Sequence, residues 1–138
     1  MLVSELSDAL DVSADTVRHY TRIGLLEPVK NSSNGYNSYR QEDVVTLRFI
    51  VRAKMLGFNL TDIQEILFLA NSGDCPCPLV RERMRTNLER KKAALLESQR
   101  LFERMDRALR NWENKPDTLS DSDSICELIE SWGDESCP

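Results

Sequence analysis

The stretch from about Leu79 to Trp112 constrains the fold of this chain more than any other. Leu88, Leu95, Phe102 and Leu109 recur at a seven-residue spacing. Met84, Met105 and Trp112 fall on the companion seam, with Lys91 and Ser98 as polar interruptions. Such a repeat is a coiled-coil heptad, and its apolar seam needs a facing helix to cover it. Packing supplies most of a helix's stability, so a long helix of this kind with its seam in water would be poorly held. The segment therefore predicts a long helix and a partner helix. With 138 residues in total, the chain has room for one compact domain before that helix and a short piece after it.

The residues before the long helix read as short helices and tight turns. Ser4 to Leu10 predicts a short helix with Leu6, Ala9 and Leu10 on one face. Ser13 is a candidate N-cap for a second helix over Ala14 to Arg22, with Asp15 in its first turn, where a carboxylate suits the helix dipole. Gly24 supplies a left-handed residue after that helix. Two short helices joined by a tight turn make a helix-turn-helix. Pro28 keeps Glu27 extended, and Asn34-Gly35 is a hairpin signal, so a two-stranded wing is expected over about 25–40. A third helix is predicted over about Gln41 to Leu56, ended by Gly57. A fourth is predicted with Thr61 as its N-cap and Ile63, Ile66, Leu67 and Leu69 on its apolar side. Pro76 and Pro78 stiffen the loop from Ser72, and Pro78 suits the first turn of the long helix.

After Pro116 the chain changes character. Residues 117–124 are rich in Asp and Ser, and Ile125 to Ile129 predicts one or two helical turns. The expected organisation is a winged helix-turn-helix over 1–71, a linker and dimerisation helix over 72–114, and a C-terminal loop and acidic tail over 115–138. The fold class is mostly α.

The overall charge of −5 hides an asymmetry. Residues 16–56 hold seven Lys/Arg against three Asp/Glu, a net of +4, whereas residues 113–138 hold one Lys against eight acids, a net of −7. The local basic face decides whether phosphate is attracted. Within it, Val17, Tyr20 and Ile23 can pack while Arg18, His19 and Arg22 project. A second helix of this kind enters the major groove, where Arg reads guanine, and hydroxyls and backbone amides hold phosphates. The candidate DNA-binding residues are Ser13, Thr16, Arg18, His19, Tyr20 and Arg22, with Tyr36, Tyr39 and Arg40 from the wing. An amphipathic helix with a merely solvated charged face is the plain alternative.

Other classes fit poorly. The lone His lies on the candidate recognition helix, and the chain carries no Gly-rich phosphate loop, no paired carboxylates in an apolar setting and no nucleophile motif, so an enzyme is not expected. A coiled-coil adaptor would leave the basic segment and the wing without a role. No apolar run approaches the roughly 18–20 residues of a membrane span. The N-terminus has no signal-peptide pattern. A cytoplasmic location is expected, in which the four cysteines, Cys75, Cys77, Cys126 and Cys137, are thiols or metal ligands rather than structural disulfides.

Several motifs taken together resemble the MerR family of transcription activators. They are Thr16-Val17-Arg18-His19-Tyr20, Gly24-Leu25-Leu26-Glu27-Pro28, Asn34-Gly35-Tyr36 to Tyr39-Arg40, Leu47-Arg48-Phe49-Ile50, and Leu56-Gly57-Phe58-Asn59-Leu60 leading to Ile63 and Ile66. The resemblance runs over nearly the whole chain. It implies an antiparallel coiled-coil homodimer joining two winged domains. It implies an activator that distorts duplex promoter DNA with an overlong spacer so that RNA polymerase engages both promoter elements. It also implies recognition-helix roles for Arg18, His19, Tyr20 and Arg22, and places Tyr36 and Arg40 near phosphate.

Metal-sensing members of that family place one Cys at the start of the dimerisation helix and two in the loop after it, shared across the dimer. Cys77 matches the first position and Cys126 the second loop position. The first loop cysteine has no counterpart, since residues 108–125 contain none. Cys75 and Cys137 are the candidates to replace it. Thiolates select soft or borderline cations such as zinc, cadmium, lead, mercury or copper. A helix-start Cys resembles sensors of divalent ions, where sensors of monovalent ions tend to have Ser. The alternatives are a redox- or electrophile-responsive regulator of the same fold, in which positively charged residues such as Arg81 lower the thiol pKa of Cys77 or Cys126, and cysteines that are simply small apolar residues.

Overall fold

The first two helices form where the sequence offers caps for them. In the computed structural model, which describes residues 1–133, α1 covers Val3–Leu10 and α2 covers Ala14–Arg22. Asp11 closes α1 in the left-handed region at φ 53°, a conformation Asp tolerates better than most side chains. Ser13 caps α2 by accepting a hydrogen bond from the Thr16 N–H at 3.0 Å. Gly24 follows α2 at φ 87°, where a Cβ would be strained. The Leu25 N–H then bonds back to the Tyr20 carbonyl at 2.9 Å and turns the chain away from the helix axis.

The wing is a two-stranded antiparallel ribbon of β1 (Val29–Lys30) and β2 (Asn37–Ser38), paired Val29 to Ser38 and Lys30 to Asn37. Its loop contains the Asn34-Gly35 hairpin signal. Six residues, 31–36, connect the strands, closed by the Asn31 N–H on the Tyr36 carbonyl at 2.8 Å. Asn31 and Asn34 each use a side-chain oxygen to accept an amide two residues on, which satisfies the longer loop locally.

Helix α3 spans Gln41–Met55 and α4 spans Leu60–Asn71. Asp43, buried, caps the start of α3 by accepting from the Arg40 N–H at 3.0 Å, and its second oxygen accepts from the Glu27 N–H at 2.9 Å. One carboxylate thus ties the chain leading into the wing to the helix leaving it. The cap of α4 is Asn59, whose side chain accepts from the Asp62 N–H at 2.8 Å, rather than Thr61. Gly57, at φ 91°, lets the chain reverse between the two helices, so the cap falls two residues earlier than expected.

Residues Met1–Leu88 form one compact unit, and the chain from Glu89 onward a second. The core of the first is built from Leu6 of α1, Val17 of α2, Leu26, Leu47 and Ile50 of α3, and Ile63 of α4, all fully buried. Each such side chain contributes roughly 1.5–3 kcal/mol relative to exposure. The long helix α5 runs Cys77–Trp112, beginning two residues before the expected start. Its Leu79, Val80 and Met84 pack against this first core. Met84 is therefore spent on the winged unit rather than on the heptad seam. From Leu88 on, the seam lies open: Leu88, Leu95, Phe102 and Leu109 are 62%, 67%, 68% and 55% exposed. A short helix, α6 (Glu127–Glu130), ends the described chain. Among the described residues no helix is long and apolar enough to cross a membrane.

Candidate nucleic-acid interface and thiol sites

The burial of one face of α2 decides which of its side chains face outward. Val17 and Tyr20 enter the core, with Tyr20 only 8% exposed, so Arg18, His19 and Arg22 are left on the surface. Arg18 is held in reserve by an exposed ion pair with Asp15 at 2.7 Å. Pairs of this kind contribute little, so exchanging it for a base edge or phosphate costs little. The His19 and Tyr20 rings are tilted at 45° with centroids 5.6 Å apart. At the start of α2, the Ser13 and Thr16 hydroxyls share a 2.7 Å hydrogen bond beside the positive end of the helix dipole, a setting that favours an anion.

The wing residues separate into two groups. Tyr36 is exposed and lines one cleft with Arg18, together with Ser4 and Asn37. Ser4 and Asn37 were missing from the sequence-based set. Each is unremarkable in its own segment, and only the fold brings the start of α1 and the wing beside α2. Tyr39 is instead a core residue, 3% exposed. Its hydroxyl lies 2.7 Å from the Thr21 hydroxyl, which itself donates to the Val17 carbonyl, so Tyr39 donates to Thr21. Its backbone also pairs with that of Met1, accepting from the terminal amine at 3.0 Å. Tyr20 and Tyr39 thus support the exposed face of α2 from the core side. Arg40 lines a different cleft, where its guanidinium donates to the Glu27 carbonyl at 2.9 Å and lies 4.0 Å from Glu42.

The start of α5 is fastened to α4 by charge. Arg83 donates to Glu65 at 2.6 Å and lies 3.6 Å from the buried carboxylate of Asp62, which also accepts from Asn87 at 3.3 Å. The hydrogen bond to Glu65 holds the Arg83 guanidinium above its ordinary pKa.

Three cysteines fall among the described residues, and all are free thiols. Cys75 and Cys77 are exposed, on either side of Pro76, and Cys77 is the first residue of α5. Hydrogen bonding with Cys77, and to a lesser extent the charge of Arg81, holds the Cys75 thiol pKa below its ordinary value against the opposing effect of desolvation. Cys126 is half-buried at the N-cap of α6, where its N–H and that of Ile125 both donate to the Glu130 carboxylate, at 2.8 and 3.0 Å. Cys137 lies outside the described residues. No group of three or more Cys, His, Asp or Glu gathers within the single chain among the described residues. Cys75 and Cys77 suit a thiophilic cation in kind, and two thiols fall short of the three or four ligands such an ion takes.

A family model for MerR HTH regulatory proteins matches residues 1–68, and a second, described as MerR, DNA binding, matches residues 44–112. The regulator HmrR of Sinorhizobium medicae is 42% identical over 69 residues, covering 50% of this chain and 47% of that protein, so the chain spans about half the length of this relative. Heavy metal-dependent transcription regulator 2 of Rhizobium meliloti is 34% identical over 108 residues, 76% of this chain and 74% of that protein. Among solved structures, the dual-function regulator MerR from Bacillus megaterium MB1 in complex with mercury(II) superposes with a TM-score of 0.58 at 27% identity, over 92% of this chain and 94% of that one. With the helix-turn-helix, the wing and the long helix all in place, the chain belongs to the MerR family of helix-turn-helix regulatory proteins.

Proposed function

We propose that this chain is a homodimeric transcription regulator that binds promoter DNA through α2 and the wing and responds to a thiophilic metal ion. The observation that carries the reading is the sorting of α2, whose Val17 and Tyr20 are buried while Arg18, His19 and Arg22 stay exposed, Arg18 sharing a cleft with Tyr36. Two such surfaces joined through the α5 seams suit a palindromic duplex, since dimer symmetry is mirrored in the half-sites. Ser13 and Thr16 hold phosphate at the start of α2, and Arg40 adds positive charge at the base of the wing. The work is done in the cytoplasm, where promoter and RNA polymerase are found.

The inducer is a soft cation, with Cys77 of one protomer and Cys126 of its partner as ligands. Metal-dependent and mercury-bound relatives support the general class of ion. Zinc, cadmium, lead, mercury and copper are the candidates, with divalent ions favoured by a thiol at the start of α5. The bound ion supplies a cross-link between protomers that differs in strength between two arrangements of the dimer, which is how a ligand biases such an equilibrium. The favoured arrangement distorts an overlong promoter spacer so that polymerase engages both elements.

The test is transcription in vitro from the chain's own upstream region, with each ion added in turn to thiol-reduced protein. Salt-dependent duplex binding with ion-dependent transcription is the expected outcome, because phosphate contacts release counterions. Duplex binding that responds to peroxide or an electrophile and to no metal would establish the thiol-chemistry alternative instead. Absence of duplex binding at low salt would overturn the regulator reading itself.

A further inference from the structure

We propose that Asp15 is a specificity-determining residue, which accepts a hydrogen bond from the exocyclic amino group of a cytosine within one base pair of the guanine that Arg18 reads. The proposal rests on the reading of α2 as the helix that enters the major groove.

The exposed residues of α2 are Asp15, Arg18, His19 and Arg22. Helical spacing puts all of them on one face, opposite the buried Val17 and Tyr20. Arg18, His19 and Arg22 supply hydrogen-bond donors, as a surface for a polyanion requires. Asp15 is an acid on the same stripe, and its side chain is almost entirely exposed. It sits in the first turn of α2, and the N-terminal residues of such a helix are those that reach base edges. The helix dipole accounts for an acid in that turn, but not for its place on the outward stripe or its bond to Arg18.

Nη1 of Arg18 donates to Oδ1 of Asp15 at 2.7 Å. That bond uses one terminal nitrogen of the guanidinium and one carboxylate oxygen. Arg18 can keep it while its other donors read a base, and the second Asp15 oxygen is available as an acceptor. Residues three apart on a helix are offset by about 4.5 Å along its axis, close to the roughly 3.4 Å between successive bases of a strand. The two side chains therefore reach the same base pair or adjacent ones.

The groove then selects the base. A carboxylate only accepts hydrogen bonds, so O6 and N7 of guanine and O4 of thymine repel it. Adenine sets its N7 acceptor beside its amino group. Cytosine presents an amino group alone, which is what a carboxylate fits. Phosphate repels Asp15 at every sequence, so the acid weakens non-specific binding and is compensated only at the matching base. That widens the gap between right and wrong sites.

The experiment is fluorescence anisotropy of the full chain on a duplex carrying the palindrome of its upstream region. Each position of one half-site is replaced in turn by the other base pairs, at fixed salt, and wild type, Asp15→Asn and Arg18→Ala are compared. Asn keeps the shape of Asp at this exposed position, and thermal unfolding checks that the fold is retained. We expect wild type to prefer cytosine at one position by about fivefold or more, the lower end of what a good base contact contributes. Asp15→Asn should lose that preference and move it towards adenine, which an amide side chain matches through N6 and N7. The position should lie within one base pair of the guanine whose preference Arg18→Ala relaxes. An Asp15→Asn variant that binds every duplex tighter by one common factor would overturn the base-reading role and leave a general repulsion of phosphate. A base profile identical to that of wild type would overturn it too, leaving only the interaction with the helix dipole. In both cases a guanine preference lost in Arg18→Ala would keep the DNA-binding reading standing. A wild-type chain that binds no duplex at low salt would overturn both readings.

Discussion

Residues of one chemical type have different roles here according to where the backbone puts them. Tyr36 and Tyr39 are three positions apart in the wing region, yet Tyr36 is 66% exposed and Tyr39 is 3% exposed. Tyr39→Phe should cost about 0.5–1.5 kcal/mol of stability through the lost bond to Thr21, and leave DNA affinity nearly unchanged. A urea melt and a binding titration on the same protein check the two halves of that statement. Arg18→Ala should do the reverse, weakening specific duplex binding by ~1–3 kcal/mol while leaving the melting midpoint within error. If mutated operators lose the same factor as the native one, Arg18 contacts phosphate and reads no base. The sequence could nominate both tyrosines because aromatic residues suit either place. Their separation depends on the pairing of Tyr39 with Met1 and Thr21, contacts between residues far apart in the chain.

At the level of elements, the helices were legible and their exact ends less so. Periodicity and local caps identify α2 at its observed limits, because Ser13 and Gly24 act on their immediate neighbours. For α4 both Asn59 and Thr61 are plausible caps, and the choice falls to Asn59 because Gly57 has already turned the chain. Asn59→Ala should destabilise the protein by about 1 kcal/mol. Thr61→Ala, at an exposed position inside the helix, should be neutral or slightly stabilising, since Ala has the higher helix propensity. Equal losses for the two in thermal unfolding would contradict the assignment of the cap. The wing loop is held by its own side chains. The six-residue loop around Asn34-Gly35 satisfies the amides of Ser33 and Tyr36 through Asn31 and Asn34.

At the scale of the whole molecule, the exposed heptad seam is the feature that a single chain leaves unfinished. Leucines and a phenylalanine more than half exposed along one helix face form an extended apolar surface, of the kind that marks an interaction site. Leu95→Glu should place a charge in the desolvated centre of a homodimer, at a cost of several kcal/mol, about what an unpaired buried polar group carries. Light scattering at micromolar concentration should then report monomer where the wild type is a dimer. The winged unit should keep its own melting transition, because its core uses none of the seam residues beyond Leu88. A monomeric wild type would remove the basis for a dimeric regulator.

The sequence alone determined the helical class, the helix-turn-helix, the presence of a wing and the long heptad helix. Each of these rests on spacing along the chain, on caps, or on residues that act within a turn or two. It also supplied the basic segment and the thiols as candidates. Tertiary structure decided what no local pattern carries. It buried Tyr20 and Tyr39, brought Ser4 and Asn37 beside Arg18 and Tyr36, and joined the opening turns of α5 to the first core through Met84 and the Arg83 ion pairs. The physical reason is that burial and side-chain hydrogen bonding depend on which residues distant in sequence meet, and periodicity records only which face of an element is apolar, not what that face will meet.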